Sequence, residues 1–305
     1  MRRITDILDR LGATPNTPDW DQVMAAYIFS ARCHSGQVRK SGEPYLMHPL
    51  EVAYILADLE MDADSVACGL LHDTVEDTHA TLEEIADQFG APVARLVDGV
   101  TKISRIEFTT AAEKAADNFR KMVVAMTEDL RVLIVKLCDR LHNMQTLTHM
   151  PEHKQQRIAK ETLDIYAPLA DRIGMNKVKT SLQDLSFRYL EPMAFAELER
   201  ELSNRLPARQ AYVNETVEQI RSHLDAEQLN IIDIYGRAKH LYSVWMKMQN
   251  KGVGLEQVYD AVAFRVIVPD VGSCYATLGQ VHALWRPIPG RFKDFIALPK
   301  QNNYQ

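Results

Sequence analysis

The segment LLHDTVEDT, at residues 70–78, places a histidine and three carboxylates at the end of an apolar run. On a helix, His72 and Glu76 are four residues apart, and so are Asp73 and Asp77. All four side chains would therefore form one contiguous patch. Burying unpaired carboxylates costs on the order of several kcal/mol each, so a positive group must meet them. A divalent cation can neutralise several carboxylates while it occupies little space.

Two further residues are candidate ligands of such a cation. His48 begins the apolar segment HPLEVAYIL, and Asp139 lies on the polar face of KLCDRLHNM. Each alone has a common structural explanation, as a histidine at a helix N-terminus or a salt-bridged aspartate. Two imidazoles and two carboxylates together suit Mn, Fe or Zn. The pattern H…HD…D within helical segments therefore predicts a metal site formed by His48, His72, Asp73 and Asp139.

A second candidate site is basic and lies far downstream, in the acid-free stretch 234–255. Its basic and hydroxyl side chains include Arg237, Lys239, His240, Ser243 and Lys247. Three of them are spaced four residues apart and would form one helical stripe suited to a polyphosphate chain. A solvated cationic face is the commoner explanation of such a stripe. Asp260, before the strand AVAFRVIV, is placed to hold Mg²⁺, and GRFKDF adds Arg291 and Lys293.

Helical signals dominate the first two-thirds of the chain. Pro49 occupies a first-turn position where proline is tolerated. Thr81 and Glu84 form a capping box for a helix that closes on Gly90. The segment DLRVLIVKLCDRLHNM is ambiguous, because RVLIVKL has the composition of a strand. Its polar residues recur at helical spacing, so we predict a helix there.

The pattern changes after about residue 200. A short strand at NIIDIYG and another at YDAVAFRVIVP are each followed by a helical segment. This order implies a sheet with covering helices. We therefore predict a mainly α domain over residues 1–195 and an α/β domain over residues 196–305.

Bulk composition narrows the class of protein. The chain has 305 residues and a formal net charge of −6, which argues against general nucleic-acid binding. It contains no apolar run of the roughly 18 residues that a membrane span needs. Its four cysteines include no CxxC pair, so we interpret them as reduced thiols of a cytoplasmic protein.

Several long motifs together resemble the RelA/SpoT family of bifunctional alarmone synthetases and hydrolases. In the first domain these are RKSGEPYLMHP, LLHDTVEDT, LVDGVTKI and VKLCDRLHNMQTL, and in the second GRAKHLYSVWMKM, YDAVAFRVIV and PGRFKDFIALPK. The H…HD…D pattern is the signature of HD-domain phosphohydrolases. The resemblance implies an HD-domain helical bundle followed by a partial nucleotidyltransferase-like α/β domain. It also implies Mn²⁺-dependent removal of the 3′-pyrophosphate from ppGpp or pppGpp, in the stringent response.

The resemblance assigns roles to individual residues. It makes His48, His72, Asp73 and Asp139 the Mn²⁺ ligands, and Glu76 and Asp77 the pair that orients and activates the attacking water. The residues implied to bind the hydrolase substrate are Arg39, Lys40, Asn143 and Thr146. Those implied to bind nucleotide in the synthetase are Arg237, Lys239, His240, Ser243, Lys247, Arg291, Lys293 and Tyr304, with Mg²⁺ on Asp260.

The expected partners are ppGpp, pppGpp, GDP, GTP and ATP, without membrane or direct nucleic-acid binding. The family continues beyond the NNYQ region with a second acidic Mg²⁺ ligand. We therefore expect a truncated, inactive synthetase here, and ribosome contact only in a full-length form. Two alternatives remain open: an HD phosphohydrolase of other nucleotides, and a nucleotide-binding regulatory module that performs no catalysis.

Overall fold

The structure, a computed structural model, describes residues 2–104, 129–205, 209–238, 240–255, 262–290 and 292–301. The chain divides into two compact units, residues 1–192 and residues 193–305. We call the first the helical unit and the second the α/β unit. This order agrees with the predicted fold class, a helical bundle followed by an α/β domain.

The helical unit contains no strand within its described residues. Its helices are α1 (Ile4–Leu11), α2 (Pro18–Cys33), α3 (Met47–Asp58), α4 (Ala63–Leu71), α5 (Thr74–Asp77), α6 (Leu82–Ser104), α7 (Leu130–Gln145), α8 (Glu152–Glu161), α9 (Ala167–Arg172) and α10 (Asn176–Leu190). A 3₁₀ turn, Leu147–His149, follows α7, and a π-helical turn, Thr162–Tyr166, joins α8 to α9.

Local signals explain several of these bounds. Thr81 and Glu84 exchange the two hydrogen bonds of a capping box at the start of α6. Gly90 has a φ of 84° and interrupts α6 with a kink, as expected of a glycine that closes a helix. The predicted helix in the ambiguous segment is confirmed as α7. Its residues Leu133, Val135 and Leu137 are buried in the core instead of forming a strand.

Close packing of α3 against α4 depends on a glycine. A Cβ on Gly69 would lie 2.6 Å from Leu56 Cδ1 and 3.2 Å from the Ala53 Cα, so a larger residue would push the helices apart. Both neighbours are fully buried. Helix α3 carries His48, and α4 ends just before His72, so the close approach of the two helices brings these histidines together.

Arg131 ties the N-termini of α4 and α7 to each other. Its guanidinium donates to Asp62 Oδ2 at 2.7 Å and to Asp129 Oδ2 at 2.8 Å. Both aspartates are N-caps: Asp62 accepts from the Ser65 backbone amide, and Asp129 from that of Arg131. The ion pairs therefore fix the position of α4, which precedes His72, relative to α7, which carries Asp139.

We expect Arg131→Ala to lower the free energy of unfolding by about 1–2 kcal/mol at pH 7, since it removes a part-buried charge-assisted hydrogen bond to Asp129 and an exposed one to Asp62. The Arg131 hydrogen bond lowers the pKa of Asp129. Burial acts to raise the pKa of Asp62, but hydrogen bonds from Ser65 and Arg131 outweigh it and lower that pKa. A lowered folded-state pKa stabilises the protein above the unfolded value of about 3.9 and loses that stabilisation as the pH falls.

Urea unfolding of both proteins between pH 7 and pH 3.5 checks this expectation. The difference between them should hold from pH 7 to pH 5 and narrow towards pH 3.5. Arg157→Ala is the control, because Arg157 is largely exposed and lies 4.0 Å from Glu161. A difference that widened with acid would contradict the assigned ion pairs.

The α/β unit has two described strands that pair antiparallel. They are β1 (Asp233–Ala238) and β2 (Val262–Ile267), with Tyr235 opposite Arg265. Its helices are α11 (Pro192–Arg205), α12 (Arg209–Ala226), α13 (Leu241–Lys251) and α14 (Val271–Leu284). Ile220, Leu224 and Ile234 form a small core between α12 and the sheet.

Within the described residues of both units, no helix is long and apolar enough to cross a membrane.

Candidate metal centre and nucleotide site

Three helices bring the predicted metal ligands together. His48 lies in the first turn of α3, His72 and Asp73 lie between α4 and α5, and Asp139 lies in the middle of α7. The spacing of the acidic residues had suggested one continuous helix through His72 and Asp73, but the chain leaves the helix there. Helix α4 ends at Leu71, and the buried Thr74 hydroxyl donates to the Leu71 carbonyl at 2.6 Å.

The ligand atoms of the four side chains surround a small volume. His48 Nε2 lies 3.4 Å from Asp73 Oδ2 and 3.2 Å from Asp139 Oδ1. His72 Nε2 lies 3.1 Å from Asp73 Oδ1 and 3.9 Å from Asp139 Oδ1. Both histidines and Asp139 are buried, while Asp73 is partly exposed. Two imidazole nitrogens and two carboxylates thus point at one another across this volume.

The chemistry of these donors fits a divalent cation. His72 Nδ1 lies 2.9 Å from the Gly69 carbonyl oxygen, which can only accept, so Nδ1 carries the ring proton. Its Nε2 is left with a lone pair, and this buried atom makes no hydrogen bond with any residue that the structure describes. A cation between the helices would satisfy that nitrogen and neutralise the carboxylates.

The carboxylates are held ionised despite their burial. Burial acts to raise the pKa of Asp139, but the Lys136 ammonium, 2.7 Å from Oδ2, is the largest opposing influence and helps to keep that pKa well below its usual range. Burial likewise acts to raise the pKa of Asp73, and positive charge at His72 and His48 lowers it; a bound cation would supply that charge in place of protonated imidazoles. Both side chains are therefore available as anionic ligands near neutral pH.

A cavity of about 450 Å³ opens onto Asp139. All four residues predicted to bind the hydrolase substrate line it: Arg39, Lys40, Asn143 and Thr146. The Arg39 guanidinium donates to Asn143 Oδ1 at 2.8 Å and to Thr146 Oγ1 at 3.3 Å. The Asn143 amide donates in turn to Asp139 Oδ1, so a chain of hydrogen bonds joins Arg39 to the cluster.

The same cavity has a cationic side and an apolar side. Lys136 and Arg140 add two more cations to its wall, and Leu147, Met150 and Ile158 supply apolar surface. Arg140 is fixed in place by Glu161, whose Oε1 is 2.6 Å away. A ligand with several phosphates and a flat apolar ring would match both kinds of wall.

The predicted acidic pair faces a different cavity. Glu76 and Asp77 are exposed and line a space of about 660 Å³. Tyr45 lines the first cavity, and its hydroxyl lies 2.6 Å from Asp77 Oδ2 and 2.8 Å from Asp73 Oδ2. The phenol therefore links a predicted ligand to a predicted catalytic acid. Burial and the two carboxylates raise its pKa, so it stays protonated and can donate.

Comparisons with known proteins agree with these features. A family model described as "HD domain" matches residues 26–176, and one described as "Region found in RelA / SpoT proteins" matches residues 236–305. The "GTP pyrophosphokinase" of Myxococcus xanthus is 54% identical over 291 residues, which are 94% of this chain and 38% of that protein. The chain belongs to the RelA/SpoT family.

Other relatives carry names for the opposite reaction. The "Guanosine-3′,5′-bis(diphosphate) 3′-pyrophosphohydrolase" of Haemophilus influenzae is 46% identical over 272 residues, which are 89% of this chain and 40% of that protein. The "Bifunctional (p)ppGpp synthase/hydrolase SpoT" of Escherichia coli is 43% identical over 280 residues, or 92% of this chain and 40% of that protein. The chain thus spans about two-fifths of the length of these RelA/SpoT relatives.

In the α/β unit the structure describes some of the residues that the RelA/SpoT resemblance assigns to nucleotide binding. Arg237 is exposed on β1, and Lys293 is exposed after the last helix. His240 is the N-cap of α13, on which Ser243 and Lys247 lie four residues apart and partly buried. Four predicted residues lie outside the described parts of the chain: Lys239, Asp260, Arg291 and Tyr304.

Sequence reasoning missed two residues of the RelA/SpoT helical unit that contact predicted ligands. One is Tyr45, three residues before His48 in the same motif. The other is His142, whose Nδ1 lies 2.7 Å from Nδ1 of His48. Burial, together with His48 and Arg39, lowers the pKa of His142 to about 3, so the ring is neutral. The one sequence signal for His142 was its position three residues after Asp139, on the next turn of α7.

Proposed function

We propose that the helical unit is a Mn²⁺-dependent hydrolase that removes the 3′-pyrophosphate from ppGpp or pppGpp and yields GDP or GTP. The observation that carries this proposal is the buried cluster of His48, His72 and Asp139, with the partly exposed Asp73 beside it, where Asp139 lines a cationic cavity. The names of the Haemophilus influenzae and Escherichia coli relatives support it, because both include hydrolysis of this class of nucleotide.

The chain's own residues would perform most of the work of binding. Arg39 and Lys40 would present positive charge to phosphate oxygens, and guanidinium groups suit phosphate geometry. Lys136 and Arg140 line the same cavity and are paired with Asp139 and Glu161. The apolar wall formed by Leu147 and its neighbours would exclude water from the nucleoside. Asn143 is hydrogen-bonded to both Arg39 and Asp139, so it would help to position the substrate's phosphates next to the ligand cluster.

The two histidines and two aspartates would hold the cation, which supplies activation of water at neutral pH and neutralises phosphate charge. Glu76 or Asp77 would take the proton that the attacking water loses, as a carboxylate base. Tyr45 holds Asp77 beside Asp73 through its hydroxyl. The proton acceptor would therefore stay close to the ligand cluster while the substrate occupies the adjoining cavity.

A hydrolysis assay on ppGpp with Mn²⁺, with Mg²⁺ and with a chelator tests the proposal. We expect turnover with Mn²⁺, slower turnover with Mg²⁺ because imidazole ligands suit Mn²⁺ better, and none with chelator. Deoxynucleoside triphosphates and cyclic nucleotides serve as competing substrates. Faster turnover of either, or undiminished turnover of ppGpp in chelator, would overturn the assigned activity.

We infer a second function for the α/β unit, the transfer of pyrophosphate from ATP to GDP or GTP with Mg²⁺. The match to residues 236–305 and the name of the Myxococcus xanthus relative favour it. Exposed Arg237 and Lys293 would contact phosphates there. Three predictions remain. We predict that the present chain has lost this activity, that the protein acts in the cytoplasm, and that a longer form contacts the ribosome.

A further inference from the structure

His142 contacts the ring nitrogen of His48 that faces away from the predicted cation. The two Nδ1 atoms are 2.7 Å apart, with ring centroids 4.9 Å apart and both side chains buried. At this distance one ring must donate an N–H and the other must accept it. One ring is therefore the donor of this hydrogen bond and the other the acceptor. Which ring donates decides whether Nε2 of His48 can bind a cation.

A neutral imidazole carries only one N–H. If His48 donates from Nδ1, its Nε2 keeps a lone pair directed at the space beside Asp73 and Asp139 and can bind a cation. If His142 donates instead, the proton of His48 lies on Nε2. That nitrogen then donates to a carboxylate and cannot be a ligand.

The two predicted histidine ligands are held by different kinds of partner. Nδ1 of His72 meets the carbonyl of Gly69, which can only accept, so its tautomer is fixed by the backbone. Nδ1 of His48 meets another imidazole, which can accept or donate. The tautomer of His48 is therefore set by the side chain of His142.

We propose that His142 is a positioning residue that accepts the Nδ1 proton of His48 and so keeps Nε2 available to the cation. This inference rests on the metal site of the proposed function and adds to it a residue that selects the ligating tautomer. Hydrogen-bond partners of this kind orient metal-bound histidines and tune their affinity for the metal.

Binding of Mn²⁺ alone, followed by the electron paramagnetic resonance signal of the unbound ion, tests the role of His142 in the 305-residue chain. H142N keeps an oxygen acceptor near the Nδ1 position, H142Q moves it towards the Nε2 position, and H142L removes it. We expect H142L and H142Q to weaken Mn²⁺ binding by about 10- to 100-fold and H142N to stay within about threefold of the unmodified chain.

Leu133→Ala is the matched control for loosened packing, because Leu133 is buried on the same helix. It should reduce the urea midpoint without changing the affinity for Mn²⁺. If the unmodified chain binds no Mn²⁺, the proposed function itself fails. If it binds Mn²⁺ and H142Q binds as tightly, or H142N as weakly as H142Q, the role of His142 is overturned while the metal site stands. Should H142L not fold, the comparison of H142N with H142Q decides.

Discussion

Asp139→Asn is expected to weaken Mn²⁺ binding by more than about 100-fold and to reduce ppGpp hydrolysis by roughly 10³-fold or more. Asp139 is the predicted ligand from α7, and its Oδ1 lies 3.2 Å from His48 Nε2 and 3.9 Å from His72 Nε2. The substitution keeps the volume of the side chain but removes the negative charge. Titration with Mn²⁺ and a discontinuous assay of ppGpp would measure both effects.

Folding must be separated from function in this experiment. Loss of the carboxylate leaves Lys136 with a weaker partner in a buried position, so part of any effect could come from lower stability. Urea unfolding of the metal-free proteins measures that part. Asp98→Asn makes the same chemical change in a surface pair with Lys102 and should leave binding and hydrolysis unaltered. Wild-type hydrolysis by folded Asp139→Asn would refute the metal assignment.

Glu76→Gln is expected to reduce hydrolysis by about 10²- to 10⁴-fold while the affinity for Mn²⁺ stays within threefold. The side chain is exposed at the edge of the second cavity and belongs to the pair assigned to take a proton. Asp77→Asn should act in the same direction. If the two carboxylates act as a unit, the double substitution should cost little more than the worse single one.

Glu83→Gln, an exposed acid in the first turn of α6, is the control for a general change of surface charge. The result separates an enzyme from a regulatory module that only binds nucleotide, because a module of that kind has no need of a proton acceptor. Full activity in the double variant would assign proton transfer to other groups. Nucleotide binding without turnover in the unmodified chain would favour the module.

Periodicity predicted much of the helical unit correctly. The polar residues of the segment that contains Asp139 recur at helical spacing, and this outweighed the strand-like composition of RVLIVKL, whose Val132, Leu133, Val135 and Leu137 are buried in α7. Capping signals located the start of α6 and its interruption at Gly90. These features could be predicted because they depend on neighbours within one turn of the chain.

Features that depend on tertiary packing were not predicted. The end of α4 at Leu71 is one such feature, since neither glycine nor proline follows it before α5, and the Thr74 hydroxyl accompanies the break by donating to the Leu71 carbonyl. The contact of His142 with His48 joins residues 94 positions apart. The contact of Tyr45 with Asp77 joins residues 32 positions apart. Rotamers and helix packing determine such contacts, and spacing along the chain does not report them.

The four predicted ligand side chains come from α3, the α4–α5 junction and α7, and this has a thermodynamic consequence. An ion held by segments so far apart in sequence can bind tightly only to the folded chain, so occupancy and folding are linked. At a free concentration one hundred times its dissociation constant, such an ion would add about 2.7 kcal/mol to the stability of the native state. Under the proposed function, the supply of Mn²⁺ would then set the fraction of molecules that is unfolded and open to proteolysis, as well as the rate of hydrolysis.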